Sequence, residues 1–103
     1  MSEIRNGMGP LHPGEILREK FLLPLNLSVN ALAIALGVPA PRINDVARER
    51  RGTTVDTSPC LALYCGTRAE FWMGLQADYD LHIAESLAGD MLATIRRRKA
   101  APA

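Results

Sequence analysis

Between Ser28 and Ala47 two apolar stripes of helical period follow one another across only three residues, Gly37, Val38 and Pro39. The first stripe is Val29, Leu32, Ala33 and Leu36, with Ser28 placed to cap its start. The second is Ile43, Val46 and Ala47, in a helix expected over about residues 40–49. A glycine straight after the last apolar position is the usual left-handed end of a helix. So short a connection forces the two helices to cross at once. Ala33 is small enough to let them approach, and Val38, Ile43 and Val46 supply apolar contacts that fix their angle. Pro41, Asn44, Asp45 and Arg48 then turn outward.

The rest of the chain is punctuated in the same way. Pro13 suits the first turn of a helix, and Ile16, Leu17, Lys20 and Phe21 keep helical spacing until Pro24. Thr57 is expected to cap a fourth helix with Leu61, Ala62 and Cys65 inward, and Gly66 to end it. Thr67 and Glu70 have the spacing of a capping box, opening a fifth helix with Trp72, Leu75, Tyr79 and Ile83 on one stripe. Residues 1–11, with Gly7, Gly9 and Pro10, read as a flexible arm, and residues 12–85 as the domain. Residues 86–103 are amphipathic up to Ile95 and then basic from Arg96 to Lys99, which fits a sixth helix or a tail. Nothing has period two, and fourteen Leu and fourteen Ala against four Val favour helix over sheet. The expectation is an all-α, compact five-helix bundle.

Several function classes are excluded. A length of 103 residues supports one core and no second domain. No apolar run approaches the roughly 18 residues that span a bilayer, and the first residues lack an apolar signal core, so a cytoplasmic protein with no membrane partner is expected. Cys60 and Cys65, five apart on one helix, are badly placed for a disulfide and read as small core thiols. With His12 and His82, read as surface or capping residues, they give no zinc spacing; neither metal nor cofactor is expected. There is no Ser/His/Asp set and no phosphate-cradling glycine loop. Glu15 and Glu19 lie beside Arg18 and Lys20 in a pattern of surface pairing, so no catalytic residues and no enzyme are expected.

Helices 2 and 3 meet the requirements of a helix-turn-helix, whose second helix can project into a DNA major groove; an ordinary helical hairpin has the same pattern. Charge adds to the first reading. The net +1 of the whole chain hides +2 over residues 42–51, −4 over 68–95 and +4 over 96–103. Arg42, Arg48, Arg50 and Arg51 suit backbone phosphates, and Asn44 can pair with adenine through N6 and N7. The arginines also suit a solvated helix end. Asp45 either reads a cytosine amino group or repels the phosphates.

His12-Pro13-Gly14-Glu15-Ile16-Leu17-Arg18-Glu19, the helix-turn-helix, Arg50-Arg51-Gly52 and the block from Gly66 to Leu81 that contains Phe71-Trp72-Met73-Gly74-Leu75-Gln76 together carry a resemblance. The chain resembles the HigA-type antitoxins, also described as addiction-module antidote or virulence-associated protein I, in the lambda-repressor-like (XRE-type) helix-turn-helix family. The likeness runs from about residue 7 to about residue 83, roughly three quarters of the chain. It implies a bacterial homodimer that binds a palindromic operator and represses its own operon, and that neutralises a RelE-like mRNA-cleaving toxin by direct binding. It places Ser28 and Asn30 at phosphates and Ala40, Pro41, Arg42, Asn44 and Asp45 toward the groove. This chain departs from the family at Pro39, where a Ser cap worth about 1 kcal/mol is usual. It departs again at Ala40, commonly a longer polar or basic residue, and at Pro59 and Cys60, usually Leu and Arg.

Two further surfaces are expected. Phe71, Trp72, Leu75 and Tyr79 form an aromatic-rich face that is either the dimer interface of a C-terminal dimerisation helix or, for Trp72 and Leu75, core. Asp78, Asp80 and Glu85 lie in the acidic stretch and suit a basic toxin. The alternatives are a stand-alone repressor with no toxin partner, or an antidote whose DNA reading has decayed at Pro39, Ala40 and Asp45.

Overall fold

A computed structural model describes residues 9–98. Most of the arm expected at residues 1–11, and Lys99 of the basic end, lie outside the described residues. Leu11, the last residue assigned to that arm, packs against the core.

The described residues are helical, with no strand among them. α1 (Pro13–Ile16) passes directly into a π-wound segment (Leu17–Leu22), then come α2 (Val29–Leu36), α3 (Ala40–Ala47), α4 (Thr57–Cys65), α5 (Ala69–Leu87) and α6 (Gly89–Ala93). The all-helical expectation holds, with α6 added to the five.

Where capping is local, sequence and structure agree. The Ser28 hydroxyl accepts a hydrogen bond from the Ala31 N–H at 3.0 Å. Gly37 and Gly66 end their helices in the left-handed region, both at φ +72°. His12 caps α1, its Nδ1 accepting from the Gly14 N–H at 2.9 Å. Pro39 precedes α3 without a side-chain cap, as its chemistry requires.

Elsewhere the structure corrects the expectation. Thr57 is the first residue of α4, not its cap; Thr54 Oγ1 accepts from the Thr57 N–H at 3.3 Å. The Thr67–Glu70 capping box does not form: α5 starts at Ala69 with Arg68 at its N-cap, one residue out of register for the box, and Thr67 Oγ1 instead accepts from the Trp72 indole N–H at 2.7 Å. α3 stops at Ala47 rather than near residue 49, and the chain reverses through Glu49 at φ +62°. The helix expected to run to Pro24 loosens into a π turn, with the Leu23 N–H reaching the Arg18 carbonyl at 2.9 Å. A five-residue hydrogen-bond repeat brings Leu17 and Leu22 to the same side, and both are buried. Cys65 is half-buried and packs against the core as expected, and burial pushes its thiol pKa up, whereas Cys60 is half-buried away from it.

The core gathers Ile16, Leu17, Leu22, Leu32, Ala33, Ile43, Val46, Ala47, Leu61, Ala62 and Trp72. Trp72 sits at its centre with no exposed surface, edge-on to Phe71 at 5.2 Å between ring centroids. Only the first half of α5 packs on the hydrophobic core. Along one face, at helical spacing, exposure rises from 0% at Trp72 and 7% at Gln76 to 41% at Ile83 and 84% at Leu87. Met91, Leu92 and Ile95, in α6 and just after it, are also exposed. The radius of gyration, 16.9 Å, exceeds the roughly 13 Å of a compact 100-residue domain because this C-terminal arm projects.

Candidate nucleic-acid interface

The N-terminal ends of α2 and α3 open onto a common groove of about 590 Å³. Its walls are Ser28, Val29 and Asn30 from α2, Ala40, Pro41, Asn44 and Asp45 from α3, and Arg50 from the turn that follows. Seven of the ten residues expected at nucleic acid therefore line one concave surface. Arg42 and Arg48 are exposed beside it and form no ion pair with any described residue. Arg51 lies outside the groove lining.

Asp45 has basic partners that its sequence context does not announce. Its carboxylate pairs with Arg50 through Oδ1 at 3.4 Å and with Arg51 through Oδ2 at 3.8 Å. Its backbone carbonyl also accepts from the N–H groups of both arginines, at 2.8 and 3.1 Å. The reversal at Glu49 folds the chain back so that one residue of α3 grips the next basic pair.

Three supports hold α3 in place, and none touches the groove. At the crossing of α1 and α3, a Cβ built on Gly14 would overlap the Val46 carbonyl oxygen, so only glycine permits that approach. Arg18 Nη1 donates to the Ala47 carbonyl at 2.6 Å and to Glu49 Oε2 at 3.0 Å, satisfying the end of α3 from a different helix. Arg18 thus reaches across the fold instead of pairing with Glu15, its helix neighbour. The loop after Arg51 is fastened to α5, with the Thr53 N–H donating to Gln76 Oε1 at 2.9 Å. Gly52 leaves room for that carboxamide, which a Cβ would overlap. Periodicity does not reveal these contacts; their signal is the His-Pro-Gly-Glu and Arg-Arg-Gly strings themselves.

His12 is buried against Tyr79, ring edge to face at 4.8 Å. Burial lowers its pKa, opposed by the charges of Glu49 and Asp80. His82 is exposed.

The residues expected at protein interfaces separate. Trp72 is fully buried within the protomer and offers nothing to a second copy, which corrects its place in the dimer set; its indole closes the core instead. Leu75 and Tyr79 are half-buried, and Phe71 is exposed. Asp78 and Glu85 share a groove with Leu81 and His82. Asp80 does not line that groove; it is held by the Gln76 carboxamide N–H at 3.0 Å. Among the described residues there is no group of three metal-ligating side chains, and no helix is long and apolar enough to cross a membrane.

No protein-family model matches the chain. Virulence-associated protein I of Dichelobacter nodosus is 51% identical over 81 residues, covering 79% of this chain and 75% of that protein. Among solved structures, the Pseudomonas aeruginosa antitoxin HigA with the higBA promoter superposes with a TM-score of 0.83 at 43% identity, covering 88% of this chain and 99% of that one. The antitoxin GraA in complex with its operator gives a TM-score of 0.83 at 43% identity, covering 95% and 100%.

Proposed function

The chain belongs to the HigA-type antitoxin (virulence-associated protein I) family of helix-turn-helix regulators, and from that premise we propose that it binds operator DNA through the groove between α2 and α3 and represses its own operon. The observation that carries this reading is the convergence of Ser28, Asn30, Pro41, Asn44, Asp45 and Arg50 on one open surface. The protein is a regulator and not an enzyme, as the relatives are antitoxins and transcriptional regulators. In the proposed complex α3 enters the major groove, with Asn44 and Asp45 at base edges. Ser28, Asn30, Arg42 and Arg48 meet phosphates on either side, and Arg50 and Arg51 stand ready at the rim. Ala40 brings no long side chain to the duplex.

A palindromic operator calls for two copies whose recognition helices lie about 34 Å apart. The exposed continuation of the α5 stripe, Ile83 and Leu87, together with Met91, Leu92 and Ile95, supports a second copy there, with Phe71 and the half-buried Leu75 and Tyr79 at its edge. A RelE-like toxin, of a kind of RNA-cleaving protein that is normally basic, suits the acidic groove of Asp78 and Glu85. Titration of the DNA upstream of its reading frame against a scrambled duplex tests the repressor reading. Equal affinity for both at moderate salt refutes it. Co-purification with the product of an adjacent short basic reading frame tests the antitoxin reading, and loss of that complex on charge reversal of Asp78 and Glu85 tests the surface.

A further inference from the structure

Four arginines surround the recognition helix, and the structure divides them into two classes. Arg42 and Arg48 face solvent with no acidic partner among the described residues, whereas Arg50 and Arg51 are both held by Asp45. The holding residue is itself part of the groove, one position after Asn44 on the surface proposed to face the bases. Each carboxylate oxygen takes one arginine, and the Asp45 carbonyl anchors both backbone N–H groups, so the two guanidinium groups stay within reach of this one side chain.

We propose that Asp45 makes phosphate binding by Arg50 and Arg51 conditional on base reading, and so acts as a specificity-determining residue of the interface. The proposal rests on the DNA-binding reading above. On a duplex without a suitable donor at that position, the carboxylate keeps the two arginines compensated and adds its own repulsion toward the backbone. Where a cytosine N4 amino group stands opposite, the carboxylate accepts from it, and the arginines pass to phosphates. The exchange is open because these ion pairs are long and more than half of each arginine side chain is solvent-accessible, so little holds them closed. One residue thereby couples a contact that depends on sequence to two that do not.

The test uses a duplex selected by the wild-type protein from a randomised pool and a scrambled duplex of equal length, titrated by fluorescence anisotropy over a range of salt. Asp45→Asn is nearly isosteric and leaves the carbonyl bonds in place. It is expected to raise affinity for the scrambled duplex about three- to tenfold and to steepen its salt dependence by about one to two phosphate equivalents. The ratio of selected to scrambled affinity is expected to fall by at least that factor. In a background of Arg50→Gln with Arg51→Gln, the same substitution is expected to raise the scrambled affinity by clearly less, because only the carboxylate's own repulsion is removed and no arginine remains to be released. An unchanged ratio in Asp45→Asn, or an equal gain in the double-glutamine background, overturns the proposal while leaving the DNA-binding reading intact. Failure of the wild-type protein to enrich any duplex overturns both.

Discussion

Replacing Gly14 by alanine adds one methyl group where α1 crosses α3. The added Cβ would overlap the backbone oxygen of Val46 and lie 3.1 Å from His12 Nδ1. Neither neighbour is a flexible side-chain end: one is main chain inside α3, the other is a buried capping imidazole. The helices must therefore separate. Overpacking of this kind costs about 1–3 kcal/mol, and separation also stretches the Arg18 bond to the Ala47 carbonyl, a charge-assisted contact worth about 1.5–3 kcal/mol. Alanine returns about 1 kcal/mol through its higher helix propensity. The net expectation is a loss of about 2–4 kcal/mol, which for a domain of this size lowers Tm by on the order of 10–20 °C. Urea unfolding followed by circular dichroism measures it, with Gly74→Ala as the control. Gly74 lies mid-helix in α5 with no atom within 4 Å of a built Cβ, so that variant is expected to gain up to about 1 kcal/mol. Gly14→Ala within about 0.5 kcal/mol of wild type refutes the crossing argument.

Other outcomes follow from the same contacts. Because burial lowers the His12 pKa below its ordinary 6.5, the unfolded chain takes up the proton first; the contribution is present above 6.5 and lost as pH falls through the folded value. Urea melts between pH 7.5 and 5 should show that loss, and His12→Asn, which keeps a capping side chain, should flatten it; equal slopes would contradict the assignment. Ile83→Asp with Leu87→Asp is expected to give a monomer by light scattering with an unchanged core spectrum, and persistence of a dimer would place the interface elsewhere. Asn44→Ala should relax discrimination at one base pair by about 1–3 kcal/mol, whereas Arg48→Ala should weaken all duplexes alike and lower the salt slope by about 1.

What the sequence made legible is what neighbours decide. The Ser28 cap, the glycine ends at Gly37 and Gly66, and the inner faces of α2 and α3 depend on residues within one turn, and they stand as expected. The failures share a cause in competition from further away. Thr67 has the right spacing for a capping box, yet its hydroxyl receives the Trp72 indole and the helix begins one residue later, after Arg68. α3 has no local signal to stop at Ala47, because Arg18, from another helix, satisfies its last carbonyl. The π turn arises from the need to bury Leu17 and Leu22 together, which helical spacing alone does not place on one side. An aromatic stripe does not reveal how far a domain extends beneath it, so Trp72 could be read as surface or as core. At the candidate site the groove residues were readable as a group, but the partners of Asp45 were not. They depend on a left-handed reversal at Glu49, a residue type that rarely adopts one.

The rising exposure along α5 has a kinetic consequence. Its first half is pinned by Trp72 and is expected to open only with the whole domain, whereas the half carrying Ile83 and Leu87 buries none of its side chains. In a lone protomer, amide exchange should therefore quicken sharply past Tyr79, and a protease should cut there before it cuts anywhere in the bundle. A partner seated on that arm slows both processes by mass action. On the proposed assembly, the unaccompanied protomer is thus expected to be the shorter-lived form of this chain.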